Sequence, residues 1–386
     1  MSLETITMEK LTRLYLLKHH LFKKANREDL VEVVGDVCGL HAQAATGPYL
    51  ALWNRVEGFE ESFLNKALYE EKSLVKTWVM RGTLHIIPSE DMPVYNRSLR
   101  RMWFEHHGRF MRAPHWPPIE QRRRLIFPKI MEALAQKPLK RKDLSDKVRS
   151  LLKDNSQPYE RLFSGWGGIL KETAYEGLTV HAEPCERESC FARLDKWFPK
   201  IDLNRENEQQ AQEKLLIKYL HGYGPATQQD FSLWSGLMAG DAKKAIENAG
   251  SLLQQVSVEG VRGQFWMPRG DLRLLDSIDL SQVAPARLLP KFDSILLGHK
   301  DRSRVIKEEH KKLVFKPKVG DIAATVTING RVAGTWRHKR TKRTLEIAIK
   351  PFVRIVKDDL AEVELQAQEL SQYMGAEKLN FSVASQ

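Results

Sequence analysis

Along the 386-residue chain, apolar positions recur at helical spacing and then switch to alternation around short turns, and this change of period repeats. The clearest copy starts near Glu206. Leu215, Leu216, Tyr219 and Leu220 share one helical face, and His221-Gly222-Tyr223-Gly224-Pro225 breaks the helix. Thr227 and Asp230 have capping-box spacing and open a second helix over 228–234 that Gly236 ends, while Asp241 is placed to cap a third helix through Asn248. The period then becomes two: 252–258 and 264–268 read as strands, joined by Glu259-Gly260-Val261-Arg262-Gly263. Helices followed by a two-stranded wing make a winged helix.

The same order of signals occurs twice more. Near the start, helices are expected over 7–20, 27–39 and 60–71, with strands over 75–80 and 84–87 around the tip Arg81-Gly82-Thr83. A looser middle copy has helices over 118–136, 139–152 and 159–175, with a hairpin beginning at 178–182. Beyond Leu288 the pattern turns β-rich. Segments 322–328 and 331–336 flank Asn329-Gly330, a favoured hairpin turn, 344–350 alternates as another strand, and 358–373 returns to helix. The expected fold is α+β, mainly α: three tandem winged-helix modules over 1–115, 116–204 and 205–285, then a β-rich element with a terminal helix over 286–386. The connections are expected at 199–204 and 276–290.

Charge narrows the partner. Lys plus Arg number 61 against 49 Asp plus Glu, a net +12 that points to a polyanion. No apolar run reaches membrane-spanning length, and Met1 to Lys10 has no secretory pattern, so a soluble protein of the bacterial cytosol and nucleoid is expected. Three cysteines make no disulfide framework; His181, Cys185 and Cys190 lack a fourth ligand for zinc and are expected to be unliganded, the thiols free. Basic residues gather in three places: Arg97, Arg100 and Arg101 with Arg109 and Arg112; Lys140, Arg141 and Lys142 with Lys147 and Arg149; and Arg337, His338, Lys339 and Arg340 with Lys342 and Arg343. Each lies at a helix start, loop or hairpin, where phosphate contacts are made.

Common catalytic patterns are missing: there is no Walker loop, HExxH, GxSxG or deaminase signature, and Gly165-Trp166-Gly167-Gly168 follows no strand. No cofactor or metal is called for. What remains is His41 and Gln43, polar and two apart in apolar text, which share a face if the segment is extended. These residues alone are compatible with structural hydrogen bonding as well as catalysis. Trp53, Trp78, Trp234 and Trp336 are expected in the core.

Five blocks are more specific: GLHAQAATGPYLALWNR from Gly39, TWVMRGTLHIIP from Thr77, GYGPATQQDFSLWSG from Gly222, LPKFDSILLGHKDRSR from Leu289 and GRVAGTWR from Gly330. In this order the chain resembles the AlkZ and YcaQ family of winged-helix DNA glycosylases. The resemblance implies a monomer that wraps duplex DNA carrying alkylated purines and hydrolyses their N-glycosidic bonds, N7-alkylguanine first, including the unhooking of interstrand crosslinks. It implies a catalytic pair at His41 and Gln43, with His41 departing from the family's Gln at the first position. A cationic N7-alkylpurine is already a good leaving group, so placing a water and steadying the sugar cation suffices. Gln43 would orient the water and neutral His41 would accept its proton, with an ordinary imidazole pKa of about 6.5 well placed for a base. Arg81, Thr83 and His85, with Asp301, Arg302 and Arg304, are expected to line the groove. The rival is a noncatalytic winged-helix DNA-binding protein or regulator; an RNA binder is a third reading.

Overall fold

The computed structural model of the chain describes residues 4–110, 118–153, 162–164, 168–186 and 188–384. Three three-stranded sheets and one five-stranded sheet accompany the helices. The first sheet has the order Leu40–His41, Leu84–Pro88, Leu74–Trp78, and the second Leu139–Lys140, Glu188–Arg193, Thr179–Cys185. In each, the last two strands form the wing that follows the helices. The third sheet pairs the wing strands Leu253–Val258 and Val261–Pro268 after helices Glu208–Tyr223, Gln228–Ser235 and Ala239–Ala249. Arg112, the module boundary at 115 and the expected start of the third middle helix near Tyr159 lie outside the described residues, as do residues 165–167.

Local chemistry explains the third module. Thr227 and Asp230 form a reciprocal capping box, and Gly236 ends the helix at a φ of 88°, a left-handed position that glycine takes without strain. Asp241 does not cap the next helix; its carboxylate lies 2.8 Å from Arg101, on the unanticipated long helix Met92–Phe110. Arg101 also bonds Glu208, and Arg100 pairs with Glu176, so these two arginines are spent on joining modules.

The N-terminal helix Met8–Lys18 does not stay with the first module. Leu11 and Leu14 pack with Val256, Val258, Phe265 and Met267 of the third, Thr5–Ile6 adds a parallel strand to its sheet, and Lys18 bonds the carbonyls of Leu220 and Gly224 and pairs with Asp271 at 2.7 Å. The first expected module therefore begins structurally after this helix.

In the C-terminal element, strands Arg287–Leu289, Thr325–Ile328, Arg331–Arg340, Thr344–Pro351 and Lys378–Val383 follow one another across the sheet. Asn329 and Gly330, at φ 49° and 75°, make the tight turn with both central residues left-handed. The last strand, parallel to Thr344–Pro351, was not legible in the sequence. One apolar core joins this sheet to the first module: Val33, Leu40, Leu50, Leu52 and Trp53 meet Val326, Trp336, Leu345, Ile347 and Leu370. The four tryptophans named above are all buried. Cys185 and Cys190 are joined as a disulfide, so of the three expected free thiols only buried Cys38 remains. Among the described residues no helix is long and apolar enough to cross a membrane.

Candidate active site and DNA-binding face

Gly39 sets the course of the segment that carries the two candidate catalysts. Its φ is 94°, and a Cβ there would lie 2.7 Å from Cγ2 of Ile87. That turn lays Leu40–His41 against Leu84–Pro88, with Leu40 opposite Ile86 and His41 opposite His85. Ala42 donates its N–H to the Leu84 carbonyl at 2.7 Å; the chain then leaves the sheet, so Gln43 is exposed while His41 is 8% exposed. The pair sits at a strand end, one member in the wall and the other at its mouth.

The His41 ring is clamped. It stacks on Phe292 at 4.5 Å between centroids and 17° between planes, and meets His85 edge-on at 5.2 Å. Phe292 has a left-handed φ of 59°, and Asp293 beside it receives both guanidinium nitrogens of Arg55 at 2.9 and 2.7 Å, with neither side chain exposed. A buried bidentate pair thus links the helix that follows His41 to the loop that supports its ring. Neither Phe292 nor the Arg55–Asp293 pair could be picked out from residue spacing, because they meet only in three dimensions.

Burial lowers the His41 pKa to about 4, the nearby charge of Arg81 adds to this, and the Gln43 side chain within hydrogen-bonding reach opposes it. The expected titration near neutrality is therefore corrected: His41 is uncharged throughout the physiological range. Its Nδ1 is buried without a hydrogen-bond partner. Burial holds His85 neutral as well, and its Nδ1 donates to the Thr83 carbonyl at 3.0 Å, which leaves Nε2 as the acceptor nitrogen.

The groove residues divide. Arg81 takes a left-handed φ of 52° at the first wing, is exposed, and donates to the Trp234 carbonyl at the end of helix Gln228–Ser235, tying the first wing to the third module. Thr83 bonds the Met80 carbonyl. Arg302, near enough for its charge to act on Arg81, is half-buried over the Phe315 ring at 4.3 Å and bonds the Leu296 carbonyl. Asp301 accepts the Ser303 N–H. Arg304 is a correction: it is 4% exposed and bonds the Pro225 carbonyl at 3.2 Å, so it braces the Gly224-Pro225 turn and faces no phosphate.

The remaining cations are also unequal. Lys140 pairs with Glu186 and lies 3.8 Å from Glu188, whereas Arg141 is half-buried over Phe191 and Lys142 is exposed. On the strand Arg331–Arg340 and the loop after it, Arg337, Lys339, Arg340, Lys342 and Arg343 are exposed, while His338 stacks on Trp336 at 5.2 Å. Arg337 and His338 line a cleft of about 630 Å³ that reaches Ala44 and Thr46, next to Gln43.

Comparison with known proteins agrees with this architecture. The interstrand DNA cross-link repair glycosylase of Streptomyces sahachiroi is 27% identical over 366 residues, 90% of this chain and 91% of that protein. The solved structure of the Streptomyces sahachiroi DNA glycosylase AlkZ shares the fold, with a TM-score of 0.82 over 98% of this chain and all of that one, at 24% identity. The family model described as DNA glycosylase AlkZ-like matches residues 34–373. The chain belongs to the AlkZ-like DNA glycosylase family, and is thus an enzyme that hydrolyses N-glycosyl bonds in DNA rather than a noncatalytic regulator.

Proposed function

We propose that the enzyme is a monofunctional glycosylase of N-alkylated purines, N7-alkylguanine above all, acting as a monomer on duplex DNA, with Gln43 and His41 as its catalytic residues. The reading extends to unhooking interstrand crosslinks, the activity named for its Streptomyces relative. The observation that carries it is the uncharged, clamped imidazole beside an exposed amide at the strand end. An N7-alkylated purine bears a positive charge that departure relieves, so the C1′–N9 bond breaks without a general acid. The exposed Gln43 amide orients a water toward C1′. Neutral His41 adds no positive charge against the developing sugar cation and accepts the water's proton as the new C1′–O bond forms. The base leaves neutral, an abasic site remains, and the chemistry needs no lysine.

Arg81, Arg302, Arg141, Lys142 and the exposed basic hairpin from Arg337 to Arg343 are assigned to the DNA backbone in this proposal. A duplex carrying one N7-methylguanine tests it: incubation followed by alkaline cleavage should give a strand break at the modified position. Gln43→Ala should lower the single-turnover rate by roughly two orders of magnitude, the usual worth of one positioned group, with duplex affinity unchanged. An active Gln43→Ala enzyme would overturn the assignment of the water-orienting residue.

A further inference from the structure

The cleft beside the candidate active site shares its walls with that site. It begins at Ala44, the residue after Gln43, with Thr46 and Gly47 on one side and Pro290 and Lys291 on another. A Cβ on Gly47 would lie 3.5 Å from the His41 carbonyl oxygen and 3.9 Å from that of Lys291. Phe292, the residue after Lys291, stacks on the His41 ring at 4.5 Å. The cleft therefore opens where Gln43 leaves the sheet, and an occupant has one end at the candidate catalytic pair.

Two kinds of surface line it. Leu50, Leu313, Ala324, Trp336 and Phe352 are apolar, and Leu313 is 49% exposed although large. Trp336 is fixed in place: its indole N–H donates to the Leu289 carbonyl at 2.8 Å, and His338 stacks on its ring at 5.2 Å. Thr46, Thr335 and His338 offer hydrogen-bonding groups. Lys312, Lys316, Arg337 and Lys350 are exposed around this floor, while Lys291 pairs with Asp321 at 2.7 Å. Aromatic and apolar side chains bordered by cations are what a nucleotide requires, because the base packs on rings and the phosphates need positive charge. At about 630 Å³ the volume falls within the range of roughly 300–1,000 Å³ usual for small-molecule sites, enough for a purine with its alkyl group.

We propose that this cleft receives the alkylated purine itself, turned out of the duplex, with the base on Leu313, Trp336 and Phe352 and the flanking phosphates on Lys312, Lys316 and Lys350. The inference rests on the reading of the enzyme as an N-alkylpurine glycosylase acting at Gln43. Extrusion costs a few kcal/mol of stacking and pairing, least for a damaged base, and the apolar floor and cationic rim offset it. With the rim cations engaged by phosphates, the positive charge of the purine meets aromatic rings, an attractive cation–π arrangement.

The test uses the full chain and a duplex with one N7-methylguanine whose sugar carries a 2′-fluorine, which withdraws electrons from C1′ and prevents excision. The adjacent base is 2-aminopurine, which brightens when its neighbour leaves the stack. Binding of the wild type should raise its fluorescence severalfold. Leu313→Gln removes an apolar contact, and Ala323→Phe, at another lining residue, fills the cleft. Each should suppress most of the rise and weaken affinity for the lesion duplex by roughly tenfold, the worth of one apolar contact. Leu313 is exposed, so its variant keeps the fold; a thermal melt checks Ala323→Phe, and Leu313→Gln decides if that variant fails. No rise with the wild type overturns the proposal, as does a rise that both folded variants retain. An equal loss of affinity for unmodified duplex would put the strand rather than a base in the cleft and also overturn it. The underlying reading fails separately, when the duplex without fluorine gives no strand break after alkaline cleavage; a fluorescence rise without that break leaves the cleft standing.

Discussion

His41 is where residue-scale physics changes the expected chemistry. An imidazole in water titrates near 6.5, but this one is walled in by Phe292 and His85 and lies near Arg81, and its pKa falls to about 4. A lowered pKa means the neutral form persists as pH falls, so base excision should be level from pH 8 to about 5 and decline only as pH approaches 4. Single-turnover rates across that range check this; a decline centred near 6.5 would contradict it. His41→Gln should abolish the acid decline, because an amide does not titrate there. Phe292→Ala opens the ring to water and should move the decline toward higher pH. The same reasoning shows what residue types alone conveyed: His41 and Gln43 stand out as polar side chains in apolar text, but the imidazole's charge state depends on neighbours up to 251 positions away, such as Phe292.

At the scale of elements, periodicity served well where apolar spacing and caps agree. The capping box at Thr227 and Asp230, the stop at Gly236 and the Asn329-Gly330 turn all occur where the chemistry of those residues puts them. Asp241 shows the limit, since a side chain placed to cap a helix is drawn instead to a guanidinium on another one. Gly39 is the element-scale determinant of the candidate active site. Gly39→Ala would force a Cβ into Ile87 and the residue into a left-handed backbone, at a cost on the order of 1–3 kcal/mol. A melting temperature lowered by several degrees, with excision reduced because His41 shifts, is the expected outcome; an unchanged melt and rate would show that the turn is adaptable.

At the scale of the whole molecule, the candidate active site is assembled by the junction of the first module with the C-terminal element. Arg55 and Asp293 lie fully buried across that junction. Breaking such a pair leaves one charge stranded and costs about 3–5 kcal/mol, whereas replacing both partners with apolar residues recovers much of the loss. Arg55→Leu should therefore destabilise the enzyme strongly in denaturant unfolding, and Arg55→Leu combined with Asp293→Leu should be the more stable of the two; equal stabilities would argue that the ion pair is unimportant. The basic clusters divide at the same scale: Arg101 and Lys140 are consumed by internal ion pairs, and Arg304 is interior. By itself the sequence determined the helices and wing of the third module, the Asn329-Gly330 hairpin, the basic excess and the block containing His41 and Gln43, because spacing, turns and charge are local properties. Tertiary structure alone decided that the first helix serves the third module, that His41 stays neutral and which cations remain free, because burial and Coulomb interactions depend on distances in space.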